Sequence, residues 1–130
     1  MIFDTNLLIK AIREDKLISN RLIIPIVVLG ELEAFALKAD WGIQKVNRMN
    51  HLFTTYPVAD ITLPITKIYA RIDAFSQGKL LSMPLRTSAR NMGKNDLWIA
   101  ATALYLDVEL HTTDNDFDHL PALGLQLVKH

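Results

Sequence analysis

Five carboxylates in this chain stand where an acid can do chemistry: Asp4, Glu31, Asp96, Asp114 and Asp116. Asp4 closes the short apolar run Ile2-Phe3, and a helical pattern (Leu7, Leu8, Ala11, Ile12) starts at once after it. Asp114-Asn115-Asp116 lies directly beyond an alternating run that ends at Thr113, while Asp96 sits in the first turn of a strongly apolar helical segment. In open parallel sheets the strand carboxyl ends and the first turns of the following helices share one edge. Spread along the sequence, these acids therefore converge in an α/β fold. Two unit charges about 4 Å apart repel by ~4 kcal/mol at an effective dielectric near 20, and a divalent cation removes that cost. All-oxygen ligands without a nearby histidine or cysteine favour Mg²⁺ or Mn²⁺ over Zn²⁺. His51, His111, His119 and His130 show no ligand spacing.

No nucleophilic serine motif, phosphate-binding glycine loop or dinucleotide fingerprint is present, which leaves metal-activated water as the nucleophile. Carboxylate-held ions suit in-line displacement at phosphorus. Charge is distributed to match. Between Asp73 and Asp96 there is no acid, whereas Lys79, Arg86, Arg90 and Lys94 are basic; from Asp96 onward six acids face only Lys129. A basic loop beside an acidic cluster attracts an anionic chain to the metal edge, so Arg86, Arg90 and Lys94 are candidate phosphate contacts. Solvation of an ordinary loop and tail explains the same charges equally well.

The elements that must position these groups follow from apolar spacing. The pattern predicts a strand ending at Asp4, a helix to about Arg13, a second strand Leu22-Ile23-Ile24 stopped by Pro25, and a helix from Val27 to Lys38. Glu31 falls somewhat nearer the apolar face of that helix than Glu33. After a break at residues 40–42, Ile43, Val46, Met49, Leu52 and Phe53 mark another helix, with Trp41 packing at its entrance. A short strand at residues 57–61 leads to a helix capped by Thr62 and ended by Gly78. The basic loop, residues 79–94, comes next. Asn95 is the predicted N-cap of a buried helix spanning residues 96–106, followed by strands at 108–113 and 125–129 with a helical turn near Phe117 between them. Strands alternating with helices predict one mostly parallel sheet flanked by helices in a single domain of residues 1–130.

Asp4-Thr5-Asn6, Gly30-Glu31-Leu32, Asn95-Asp96 with Ile99-Ala100-Ala101, and Thr113-Asp114-Asn115-Asp116-Phe117 resemble the ordered acidic motifs of PIN-domain nucleases, across essentially the whole chain. Small stand-alone members of that family are VapC-type toxins of toxin–antitoxin pairs. The resemblance implies the PIN three-layer α/β fold and a Mg²⁺- or Mn²⁺-dependent endoribonuclease, commonly a homodimer, held inactive by a cognate antitoxin protein. It assigns Asp4, Glu31, Asp96 and Asp114 as the acidic quartet, Asp116 as an accessory ligand, and Asn6 as the polar residue that orients the first aspartate. A phospho-acceptor domain would want paired acids after its first strand, and a haloacid-dehalogenase-type phosphatase a second aspartate where Asn6 stands. A non-cleaving RNA- or protein-binding domain is the remaining alternative.

Zero net charge gives no overall signature of a nucleic-acid binder, and 130 residues, half of them hydrophobic, are enough to bury roughly 65–70% of the unfolded surface around one core. The longest apolar run, residues 22–29, falls short of a membrane helix of ~20 residues and is interrupted by Pro25. With no cleavable leader and no cysteine, a cytoplasmic setting is expected.

Overall fold

The first strand is as short as its apolar run in the computed structural model, which describes all 130 residues. β1 spans Ile2–Phe3, and Asp4 ends it by becoming the N-cap of helix α1 (Thr5–Glu14). Leu7, Leu8, Ile9, Ala11 and Ile12 of α1 are buried, the stripe that its sequence spacing demanded. β2 (Ile24–Pro25) passes directly into α2 (Ile26–Lys38); Pro25 is the N-cap, where a missing N–H costs nothing because the first helical donors have no intrahelical partner. α3 (Ile43–Thr55), β3 (Val58–Ala59) and α4 (Leu63–Ser76) follow. Gly78 adopts φ 72° just past α4, and Lys79 N–H donates to Ala74 O to close the helix end. Residues 79–93 carry no helix or strand. α5 (Lys94–Leu106), β4 (Leu110–Thr112), two 3-10 turns (Asn115–Phe117 and Leu120–Leu123) and β5 (Leu127–Lys129) complete the chain.

Every strand pairing is parallel, as the strand–helix alternation required. The expected single sheet is found as two ladders, β1-β4-β5 and β2-β3. They abut at Met1, whose carbonyl accepts from Ile23 N–H at 2.9 Å. Strands of two or three residues leave room for little more than that one bond. β4, at the centre of its ladder, pairs Ile2 with Leu110 and Leu110 with Leu127, so Leu110 is fully buried.

The most extensive helix contact joins α4 and α5. Alanines at 100, 101 and 103 keep α5 slim, and Tyr69 packs tilted against Trp98 with ring centroids 4.1 Å apart. One cap differs from expectation. α5 starts at Lys94 with Gly93 as N-cap, so Asn95 lies inside the first turn, exposed, and makes no cap bond. Gly93 holds extended backbone there and brings Asp96 Oδ2 within 3.8 Å of where a Cβ would stand. Thr62 occupies the N-cap of α4 without a side-chain bond, and Trp41 packs edge-on against Phe35.

The loop after β4 is anchored by Phe117, which is completely buried between two exposed neighbours, Asp116 and Asp118. Truncation to alanine in such a site removes both the transfer free energy and the packing around the cavity left behind. Phe117→Ala is expected to lower stability by about 3–5 kcal/mol in urea unfolding. A loss below about 1 kcal/mol would show that the loop can collapse onto the core without its aromatic anchor.

Candidate active site

Asp4 is 5% exposed, and both of its carboxylate oxygens are engaged. Oδ1 accepts Leu7 N–H at 3.0 Å, the N-cap bond of α1. Oδ2 accepts the hydroxyl of Thr112, the last residue of β4, and the same Thr112 oxygen accepts Asp114 N–H at 2.9 Å. Parallel register explains the meeting, because Phe3 pairs with His111 and the next residues, Asp4 and Thr112, leave their strands on one side. Glu31 on α2 accepts from Thr5 Oγ1 at 2.7 Å. Residues 4 and 5 thus tie β4 and α2 to the start of α1.

Asp96 sits in the first turn of α5, where the helix dipole favours an anion, yet burial pushes its carboxyl up to about 6, helped by the charges of Asp114, Asp116, Glu31 and Asp4 in that order. Asp4 is likewise raised, chiefly by burial, against the lowering effect of its two hydrogen bonds. Ligand oxygens of Asp96, Asp114 and Asp116 lie within 4.8 Å of one another. Asp116, expected only as an accessory, belongs to this tightest group. Its N–H donates to Asp114 Oδ1 at 3.0 Å, which holds both acids on the 3-10 turn. Asp4, Glu31, Asp96 and Asp114 share a cavity of about 580 Å³ with Asn6, Gly30, Asn95 and Lys38.

The predicted basic residues separate. Lys94, at the start of α5, shares a shallow depression with Glu31 and Asp96. Arg90 reaches the acidic loop directly, its guanidinium donating to Asn115 O at 2.9 Å. Arg86 is exposed and makes no ion pair or hydrogen bond. Sequence reasoning missed Thr5, Thr112 and Lys38. Thr5 follows the first acid and Thr112 precedes Asp114 by two, but a hydroxyl at those places carries no signal until the strands are paired. The histidines stand elsewhere: His111 Nδ1 meets His130 Nε2 at 2.8 Å, and His119 Nε2 meets Ser76 Oγ at 2.6 Å.

A sequence profile of the PIN domain matches residues 1–123. The chain belongs to the PIN-domain family. Its short parallel strands between helices are the PIN three-layer α/β fold, and the two phosphate-handling alternatives fall away with that assignment. Solved PIN-like structures agree over almost the full length. A chain of VapBC2 from Rickettsia felis, crystallised with a DNA fragment from its promoter, superposes with TM-score 0.74 at 22% identity, covering 100% of this chain and 99% of that one. VapBC-1 from nontypeable Haemophilus influenzae gives 0.67 at 25% identity over 99% and 98%. VapBC-5 from Mycobacterium tuberculosis, described as a toxin–antitoxin family member, gives 0.70 at 24% over 99% and 97%. No curated protein sequence matches. No helix of this PIN domain is long and apolar enough to cross a membrane.

Asp96 gives the cluster a pH signature. Its folded pKa lies above the 3.8 of a free carboxyl, so the folded state keeps a proton that the unfolded state has released. That contribution to stability is complete below pH 3.8 and is lost as pH rises through about 6. Carboxyl NMR titration of the metal-free protein is expected to find Asp96 half-ionised near pH 6, with Asp114→Asn moving it downward. A wild-type midpoint at the free-carboxyl value would mean that neither burial nor the neighbouring acids act on Asp96.

Proposed function

We propose that this PIN domain is a Mg²⁺- or Mn²⁺-dependent endoribonuclease, the toxin of a toxin–antitoxin pair. One observation carries the reading: five carboxylates from four separate segments are gathered at one sheet edge, two of them, Asp4 and Asp96, raised in pKa by burial and further by their acidic neighbours. Such an arrangement is destabilising without a cation. The donor set fits a hard ion, being oxygen throughout. One oxygen from each of Asp96, Asp114 and Asp116 lies within 4.8 Å of the others, so the three could converge on such an ion.

Asp96, Asp114 and Asp116 would hold the metal, with Asp4 and Glu31 lining the same cavity as Asp96 and Asp114. Bound there, the ion supplies an activated water for attack at phosphorus and neutralises charge on the phosphate. The protein's own part is positioning. Leu7 N–H and the Thr112 hydroxyl fix Asp4, and Thr5 occupies Oε1 of Glu31 while leaving Oε2 without a protein donor. Lys94 at the rim and Arg86 and Arg90 on the 79–93 loop supply positive charge for the flanking phosphates, and Asn6, exposed at the cavity mouth, adds a polar contact. Hydrolysis leaves phosphate on one RNA end and a hydroxyl on the other. The toxin assignment is supported by the VapBC complexes among the solved relatives. It brings with it a cognate antitoxin protein, a homodimer and a cytoplasmic setting where RNA is met.

Asp4→Asn and Asp96→Asn are each expected to abolish cleavage of a mixed RNA pool while retaining the fold by circular dichroism. Undiminished cleavage in both variants would overturn the reading, and RNA binding without any cleavage by wild type would favour a binding-only domain. Mn²⁺ should raise unfolding free energy by about 2.7 kcal/mol at a hundredfold excess over Kd, an effect absent in Asp96→Asn. Replacing Arg86 and Lys94 by Gln in an Asp96→Asn background should flatten the log–log salt dependence of RNA affinity by roughly 0.7 for each phosphate that is no longer neutralised. An unchanged slope would remove both residues from the RNA surface.

A further inference from the structure

The loop that carries Asp114 and Asp116 is held from outside the acidic cavity by two cations. Lys129 Nζ, on β5, donates to Asp114 O at 2.7 Å, to Asn115 Oδ1 at 2.7 Å and to Asp118 Oδ1 at 2.8 Å. Those three acceptors exhaust the donors of an ammonium group. Arg90 supplies a fourth bond, Nη1 to Asn115 O at 2.9 Å, and its own backbone N–H is fixed on Ser76 O at 2.8 Å at the end of α4. Parallel pairing places Lys129 opposite Thr112, the residue that joins Asp4 to the Asp114 backbone.

Stability does not explain this commitment of donors. Lys129 and Asp118 are 36% and 47% exposed, and ion pairs so exposed contribute little. Coulomb forces argue the opposite way for metal binding, since a positive charge beside the site repels a divalent cation. Geometry remains. Phe117 pins the middle of the loop in the core, but Asn115 and Asp116 are exposed and nothing buried fixes their backbone.

We propose that Lys129 and Arg90 are positioning residues that clamp the loop at residues 114–118, keeping Asp114 and Asp116 beside Asp96 for metal binding. The metal step rests on the function proposed above; the clamp itself does not. Arg90 therefore has a duty on the protein, separate from the phosphate contact its charge suggests, and of the three predicted phosphate contacts only Arg86 and Lys94 are without a partner within the chain.

The test combines two readouts on Lys129→Met, Arg90→Met and the double variant, with Lys129→Arg as the conservative control. Amide hydrogen exchange of the metal-free proteins should show Asp116 and Asp118 exchanging at least tenfold faster in the double variant, with Leu8, Ile99 and Leu110 unchanged. Mn²⁺ affinity, from the free-ion EPR signal, should fall at least tenfold in the double variant and recover in Lys129→Arg. Unchanged loop exchange would overturn the clamp. Faster exchange with tighter Mn²⁺ binding would overturn positioning, because the cations would then act only as charges. If wild type takes up no Mn²⁺, the proposed function fails, and the exchange data alone decide the clamp.

Discussion

Repulsion among carboxylates is the constraint around which this domain is arranged. Asp4, Glu31, Asp96, Asp114 and Asp116 come from four segments spread from one end of the chain to the other, and the parallel register of β1 with β4 is what makes them meet. Four of the five acids are offset locally by something short-ranged, and the fifth, Asp116, is exposed to solvent. Asp4 has a helix N-cap bond and a threonine hydroxyl, Glu31 a second threonine, Asp96 the first turn of α5, and Asp114 its neighbour's amide. None of these offsets both burial and the neighbouring charges, which together hold the carboxyls of Asp4 and Asp96 raised. The folded edge is therefore a site whose energy is lowered by a cation, and the strength of that demand is set by burial.

Core and site are built from the same elements, which limits how far either can change. The middle of α5, from Leu97 to Ala103, is largely buried, so the helix cannot shift to relieve Asp96 without disturbing its contact with α4. β4 ends in Thr112, which is fully buried and committed to Asp4 and Asp114 at once. The hydroxyl there serves both a backbone donor and a carboxylate, and valine, similar in shape, would leave both unpaired. Rigid walls on three sides contrast with the fourth. The Asp114–Asp118 stretch is a 3-10 turn and loop, anchored in the core only at Phe117.

Much of this arrangement was legible in the sequence because it rests on local patterns. The apolar stripe of α1, the all-round apolar α5 and the acids at element starts are periodicities and positions, readable without any partner. Strand extents were not, since β1, β2 and β3 are only two residues long and flanking apolar residues such as Leu22 and Leu125 are buried without joining a ladder. The N-cap of α5 misled for a related reason: Asn95 is the better capping type, but the helix starts two residues earlier, with Gly93 as N-cap and Asp96 in the first turn. Helix ends at Asp15 and Asp107 adopt left-handed backbone without a glycine to announce them. Long-range bonds, Thr112 to Asp4 and Lys129 to the acidic loop, have no sequence signature at all because they are products of register.

The placement of Arg90 and Lys129 bears on how a chain of zero net charge distributes its cations around an acidic edge. A cation near a metal site weakens affinity for the ion, and a domain needing only more positive surface could have put it on the open side of the 79–93 loop, where Arg86 stands. Lys129 instead commits all three donors inside the protein. Asp118 turns its carboxylate toward Lys129, and no ligand atom of Asp118 joins the tightest acidic group. Of the Asp114-Asn115-Asp116-Phe117-Asp118 run, Asp118 is thus the acid bound to a cation, while the oxygens of Asp114 and Asp116 group with Asp96. Selection among neighbouring acids on a short loop needs a counter-charge of fixed position, and a lysine on the adjacent parallel strand supplies one.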